Sequence, residues 1–260
     1  MAPVDGTPVW FELNTPDPEA AGGFYTAVVG WSAAASPVPE HGGYLVATAP
    51  TGLPVAGMVT PPSAFPGLPG WMISFGCGDV DALAEKVASL GGAVHVGPMD
   101  IPGVGRFAVV SDPQEVMFSL LTGAGVQEPT AFRQQPDSHG HAVWVELATP
   151  DPAAALDFYG RLFGWTSAGS MSMGTMGDYT FFGVGDARPG AVMPSETTGS
   201  PARWSVYFMV PDIDVALTAV PPAGGRVLRG PDPIPGGNFS AKIADRDGAG
   251  VGLVGSRRAR

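Results

Sequence analysis

The chain is written twice. Trp10-Phe11-Glu12-Leu13-Asn14-Thr15-Pro16-Asp17-Pro18 returns as Trp144-Val145-Glu146-Leu147-Ala148-Thr149-Pro150-Asp151-Pro152, 134 residues later. At the same spacing Phe24-Tyr25 answers Phe158-Tyr159, and Gly30-Trp31 answers Gly164-Trp165. In the back half of each copy the offset becomes 133, pairing Trp71 with Trp204, Asp81 with Asp214, Gly91-Gly92 with Gly224-Gly225, Ile101-Pro102 with Ile234-Pro235, and Asp112 with Asp245. A repeat that covers nearly the whole chain demands two like modules, here 1–122 and 142–260. Residues 123–141, rich in Gly, Gln, Pro and Ser, read as the linker.

Within a copy the hydrophobic period switches between two and 3.6. Val9, Phe11 and Leu13 share one face of an extended segment, and Trp10, Glu12 and Asn14 share the other. After the turn at Thr15-Pro16, 17–29 reads as a helix with an acidic first turn and Gly30 as its stop. Short strands follow near 31–35, 44–49 and 55–60. The order then restarts with a strand at 71–77, a helix at 79–90 closed by Gly91-Gly92, and strands near 93–98, 105–111 and 116–121. Each copy is therefore βαβββ twice, an α+β arrangement whose mixed strand faces are free to line a concavity. In the second copy Pro221-Pro222 cut the second helix short.

The 38 glycines and 28 prolines fall largely at matched turns of this repeat, and with 45% hydrophobic residues they punctuate a folded chain. A net charge of −11 repels polyphosphate backbones and anionic membrane surfaces, which excludes nucleic acid and membrane as partners. No apolar run reaches the ~18 residues of a spanning helix, and Met1-Ala2-Pro3-Val4-Asp5 lacks a basic flank. Together with a single cysteine, Cys77, this places the protein in the cytoplasm as an expectation.

These segments resemble the vicinal oxygen chelate superfamily, which includes glyoxalase I, bleomycin-resistance proteins and extradiol dioxygenases. The signature is the strand, Asp and helix segment with Phe-Tyr and Gly-Trp, the Asp-x-Asp opening of the second helix, and Asp112-Pro113 entering the last strand. More narrowly, the chain is similar to two-module actinomycete proteins described as glyoxalase-like or hydroxylase-like, some of them encoded beside antibiotic and anthracycline pathways. The resemblance implies two tandem modules, each a pair of βαβββ units forming a curved, cup-like mixed sheet. It also implies a divalent metal held by His, Gln or Glu on the first strand and Glu near the end of the last. Those positions fall here on Trp10 and Trp144, and on Ser119 and Gly252. An indole offers only an N–H and glycine offers nothing, so the expectation is no metal and no cofactor. Of the four histidines, none stands at a ligand position, and His139-Gly140-His141 reads as a solvated polar turn in the linker.

The candidate site is then a ligand cup. Trp10 and Trp144, with Trp71 and Trp204 opening a second strand of each copy, read either as an aromatic clamp for a planar ligand or as strand-start core packing. Asn14 and Ser119 join the ligand-facing set. Glu12 and Glu146 share the face of the first-strand tryptophans and are the candidate catalytic carboxylates. A buried carboxyl with a raised pKa suits a general base or an acceptor for a ligand hydroxyl, and the alternative is a hydrogen bond to a neighbouring loop. Met171, Met173 and Met176, set between glycines in 170–177, read as a mobile apolar cover or as a connection without a role. The stretch 61–70 reads as a stiff Pro-rich connection between half-modules. Divergence between the copies points to one working cup and one structural cup. The leading function is metal-free binding of a small planar hydrophobic molecule, antibiotic or polyketide-like, by a monomer or homodimer. The alternatives are a glyoxalase-like lyase, isomerase or oxygenase-type enzyme, and a protein interaction module.

Overall fold

The computed structural model describes residues 5–61, 70–123, 129–195 and 202–257. The first copy runs β1 (Pro8–Asn14), α1 (Pro18–Val29), β2 (Ser32–Ala35), β3 (Leu45–Thr48), β4 (Pro54–Val59), β5 (Gly70–Gly76), α2 (Val80–Ser89), β6 (Ala93–Ile101), β7 (Gly105–Ser111) and β8 (Met117–Gly123). The second runs β9 (Ala142–Thr149), α3 (Pro152–Phe163), β10 (Thr166–Ser172), β11 (Asp178–Val184), β12 (Ala187–Pro194), β13 (Arg203–Val210), α4 (Ile213–Ala219), β14 (Arg226–Pro233), β15 (Phe239–Ala244) and β16 (Gly250–Gly255). Each copy makes one eight-stranded mixed sheet, in the orders β2-β3-β4-β1-β5-β8-β7-β6 and β10-β11-β12-β9-β13-β16-β15-β14. Parallel pairing joins β1 to β4 and β5 to β8, while the hairpins outside them are antiparallel. The α+β architecture of two tandem modules is the one the repeat called for.

The repeated Thr-Pro-Asp-Pro is a helix start. Asp17 and Asp151 each accept a hydrogen bond from the backbone N–H three residues on, at 3.0 Å, and Pro18 and Pro152 supply the preset first helical φ. Asp79 and Asp212 cap α2 and α4 in the same way. With Pro221-Pro222 just beyond its end, α4 has 7 residues against the 10 of α2.

The elements gather into two compact units, and each unit draws on both copies. One takes Met1–Val9, Met72–Pro129 and Val145–Ser205; the other takes Trp10–Trp71, Thr130–Trp144 and Val206–Arg260. In the latter, Trp31 stacks on Tyr25 at 5.2 Å between ring centroids and meets Phe208 edge-on at 4.7 Å. In the former, Trp165 stacks on Tyr159 at 4.9 Å and on Phe182 at 4.0 Å, with Phe75 edge-on at 5.3 Å. Edge-to-face and offset rings of this kind add to the burial of their apolar area.

A reciprocal clasp sits beside each aromatic cluster. Tyr25 of the first copy donates its hydroxyl proton to Asp245 of the second at 3.2 Å, and Trp71 Nε1–H donates to the same hydroxyl at 3.0 Å. In the other unit Tyr159 donates to Asp112 at 3.2 Å and Trp204 Nε1–H donates to Tyr159 at 3.2 Å. The second oxygen of each aspartate accepts two backbone N–H groups, those of Asp247 and Ala249 for Asp245 and of Gln114 and Val116 for Asp112. Loss of hydration on burial pushes both carboxyls above their ordinary range and both phenols well above theirs.

Two local expectations are corrected. The end of the linker is not a solvated turn, because His141 is fully buried, with Nδ1 2.7 Å from the Thr130 carbonyl oxygen and Nε2 2.7 Å from Thr51 Oγ1. Both ring nitrogens are satisfied, so a neutral imidazole is held inside at no hydrogen-bond cost. The stretch 170–177 is not one open loop either, since Ser170, Met171 and Ser172 extend β10 and Gly174–Met176 form a 3-10 turn. Pairing of Met171 with Tyr179 on β11 carries the ladder into the methionine run. The Pro-rich stretch 61–70 lies, apart from its two ends, outside the described residues.

Candidate functional site

Alternation along the strands separates a buried face from a half-open one. On β1, Val9, Phe11 and Leu13 are buried, and Trp10, Glu12 and Asn14 are half-buried on the opposite side. Trp10 Nε1–H donates to the Tyr44 hydroxyl at 2.8 Å, and Tyr44 in turn hydrogen-bonds Glu12. Tyr44 reaches that carboxyl by lying across β4 at Gly57, the Cα partner of Glu12. A side chain at position 57 would collide with the phenol ring, so glycine here is a requirement of close approach. Burial pushes the Glu12 carboxyl above its ordinary range, partly offset by the Tyr44 hydrogen bond. Burial, and then the nearby Glu12 charge, push the Tyr44 phenol far up, which keeps it a neutral donor. The result is a relay from indole N–H to phenol to carboxyl, set on an aromatic surface.

The second copy repeats the acid and phenol in the other unit. Tyr179 donates to Glu146 Oε2 at 3.0 Å, and Glu146 is 5% exposed. Its register partner is Ala191, which also pairs with Phe181, a ring covered by the Arg188 guanidinium at 4.9 Å. Met171 stands opposite Tyr179 and is 46% exposed; Met173 precedes the 3-10 turn beyond it and Met176 is the last residue of that turn. Tyr44 and Tyr179 were absent from the expected set. Each follows the Gly-bounded connection of its copy, but the unequal connections give an offset of 135, outside the register of the other matches.

Trp71 and Trp204 stand apart from the half-open faces. Trp71 shares its strand side with Ile73 and Phe75, and its ring meets Tyr25, Trp31 and Phe208. Trp204 is 6% exposed and packs on Tyr159, Trp165 and Phe75. Period two decides this: Met72 and Ser74, Ser205 and Tyr207 take the half-open sides of β5 and β13. Trp144 is half-buried against Val143, Tyr207 and Val254, in company with Met209 and Ile234.

The four positions that the family resemblance assigns to a metal carry the wrong donors. Trp10 and Trp144 offer carbon surface and an N–H. Ser119 Oγ is 2.5 Å from Ser74 Oγ. Gly252 lies beneath the ring of its register partner Tyr207, where a Cβ would collide with that ring. Among the described residues no group of three or more His, Cys, Asp or Glu side chains is gathered to hold a metal ion. The residues present do not fit the usual metal. Burial raises the pKa of Cys77, whose thiol faces Thr122 and which therefore lacks thiolate activation. None of the described helices is long and apolar enough to cross a membrane.

Comparison with known proteins places this architecture. At 36% identity over 250 residues, covering 94% of this chain and 92% of the relative, it is similar to CFP32 of Mycobacterium tuberculosis (strain CDC 1551 / Oshkosh), which carries a provisional glyoxylase name. At 33% identity over 262 residues, covering 96% and 93%, it is similar to the anthracycline biosynthesis protein DnrV of Streptomyces peucetius. Among solved structures, 2,2',3-trihydroxybiphenyl 1,2-dioxygenase from Sphingomonas wittichii strain RW1 shares the fold with a TM-score of 0.66 at 14% identity, covering 98% of this chain and 91% of that one. The Mn(II)-bound glyoxalase from Novosphingobium aromaticivorans also reaches 0.66, at 16% identity, covering 99% and 83%. The sequence model of one family matches residues 7–120 and again 141–253. The chain belongs to the Glyoxalase/Bleomycin resistance protein/Dioxygenase superfamily, with both of its copies as members.

Proposed function

We propose that the protein binds a small planar hydrophobic molecule of antibiotic or polyketide type, without a metal, in resistance, sequestration or support of secondary metabolism. The observation that carries this is the replacement of the family's ligand-bearing positions by indole, hydroxyl and a ring-covered glycine; two residues after the indole of Trp10 stands a carboxyl tuned by Tyr44. Trp10 presents a rigid π surface at low entropic cost, and Glu12 offers a hydrogen-bond partner for a ligand hydroxyl. Likeness over nearly the full length to an anthracycline biosynthesis protein supports a role in secondary metabolism. The test is a titration with planar natural products followed by tryptophan emission. Saturable quenching that weakens on Trp10→Ala or Trp144→Ala is the expected result; absence of quenching by any of them counts against the proposal.

A lyase or isomerase reaction is the second reading, and the raised pKa of Glu12 is the observation that favours it. In that case Glu12 is the base that removes a substrate proton, with Tyr44 donating to the carboxylate before transfer. Turnover that is abolished by Glu12→Gln while ligand binding persists would select this reading.

A further inference from the structure

On the half-open face of β5, β8, β7 and β6, two buried hydroxyls have only each other as hydrogen-bond partners among the described residues. Ser74 and Ser119 are Cα partners across the parallel ladder, each is 6% exposed, and their hydroxyl oxygens lie 2.5 Å apart. Two hydroxyls hold two protons, and a single bridge between them consumes one. No third group among the described residues accepts the other, although a buried donor without an acceptor is costly. The second copy has no such pair, because Tyr207 and Gly252 occupy the corresponding register.

What surrounds the pair narrows its partner. Val109 pairs with Ser119, Phe107 with Leu121 and Met99 with Phe107, and alternation puts Met72 and Met117 on the same side. Met99 is 48% exposed and Met117 is 43% exposed, so the outer part of this face is apolar, adaptable and open. Arg106 projects from the other side of β7, where its guanidinium is bound to Asp81 and Asp100. That guanidinium is therefore turned away from the serines, and the polar groups on their own side of β7 are Ser111, opposite Met117, and the His95 ring it hydrogen-bonds at 2.9 Å. A neutral acceptor at the edge of an apolar ring system meets both the hydroxyl and the rim.

We propose that the Ser74 and Ser119 hydroxyls form a donor site for a carbonyl oxygen, so that the ligand class is an aromatic ketone or quinone. This rests on the binding function proposed above and adds the functional group that is recognised. The experiment compares two probes of the same shape, anthraquinone-2-sulfonate and anthracene-2-sulfonate, on the full chain. The expected result is a preference for the quinone of about three- to tenfold, the worth of one neutral hydrogen bond. It should disappear in S74A/S119A while anthracene binding is retained, and the infrared carbonyl stretch of the bound quinone should move back toward its unbonded frequency. Equal binding of both probes by the parent protein, or an unchanged preference in the double variant, overturns the carbonyl site and leaves planar-ligand binding standing. Binding of neither probe, read by tryptophan emission, overturns both. The comparison of probes on the parent protein holds even if the double variant folds poorly.

Discussion

A carboxyl that shares its surroundings with an indole and a phenol loses water it cannot fully replace. For Glu12 the folded-state pKa therefore lies above the unfolded one. A group shifted in that direction contributes its full stability below the unfolded value and loses it as the pH rises through the folded value. Glu12→Gln removes the charge and keeps a hydrogen-bond acceptor for Tyr44. The variant should therefore be more stable than the parent at pH 8 and gain nothing below the ordinary carboxylate range, as measured by urea unfolding at both pH values. A constant difference across pH would mean that the carboxyl is not the titrating group. At this scale alternation along the sequence puts Glu12 and Glu146 on the face of the first-strand tryptophans but gives no sign of the phenols that meet them. Tyr44 arrives through a connection whose length differs between the copies, and its approach depends on a missing side chain at Gly57, which no periodicity reports.

Elements were the most legible level. Asp17, Asp79 and Asp151 announce helix starts because a short carboxylate before a helix has one good use, capping a free N–H. Pro221-Pro222 announced the short α4 for an equally local reason. The faces of β5 and β13 were less legible, since a strand starting with a large aromatic alternates correctly in either of two registers. Trp71 and Trp204 took the packed side, where their N–H groups hold Tyr25 and Tyr159. Those tyrosines connect helix to turn in each unit. Tyr25→Phe leaves Asp245 and the Trp71 N–H each short of a partner, and Tyr159→Phe does the same to Asp112 and Trp204. Each change should lower the unfolding free energy by about 1–3 kcal/mol, the cost of unpaired buried polar groups. Denaturant midpoints test this, and a neutral result at both sites would show that the clasps are idle.

For the molecule as a whole, the repeat predicted two modules and the two sheets follow it, yet the compact units cut across it. Sequence periodicity gives no sign of this, because the apolar face of α1 is equally suited to cover either copy's sheet. The pairing is decided by specific partners: Tyr25 with Asp245, Trp31 with Phe208, and Tyr159 with Asp112. A fragment of residues 1–123 accordingly lacks half the core of each unit. It should show no cooperative thermal transition as a monomer, and a 1:1 mixture with residues 129–260 should recover one in calorimetry. A monomeric fragment that melts cooperatively by itself would contradict this dependence.

The same interleaving limits how a gene of this design can grow. In a stacked array each new repeat needs only the neighbour already present, so one more can be appended at either end. Here each copy spends its front half on one unit and its back half on the other, and two copies use up every half. A third would bring two halves with no counterpart, and only a fourth could take them in. Within one chain, lengthening by a single duplication therefore leaves two half-cores uncovered, and lengthening by pairs of copies does not.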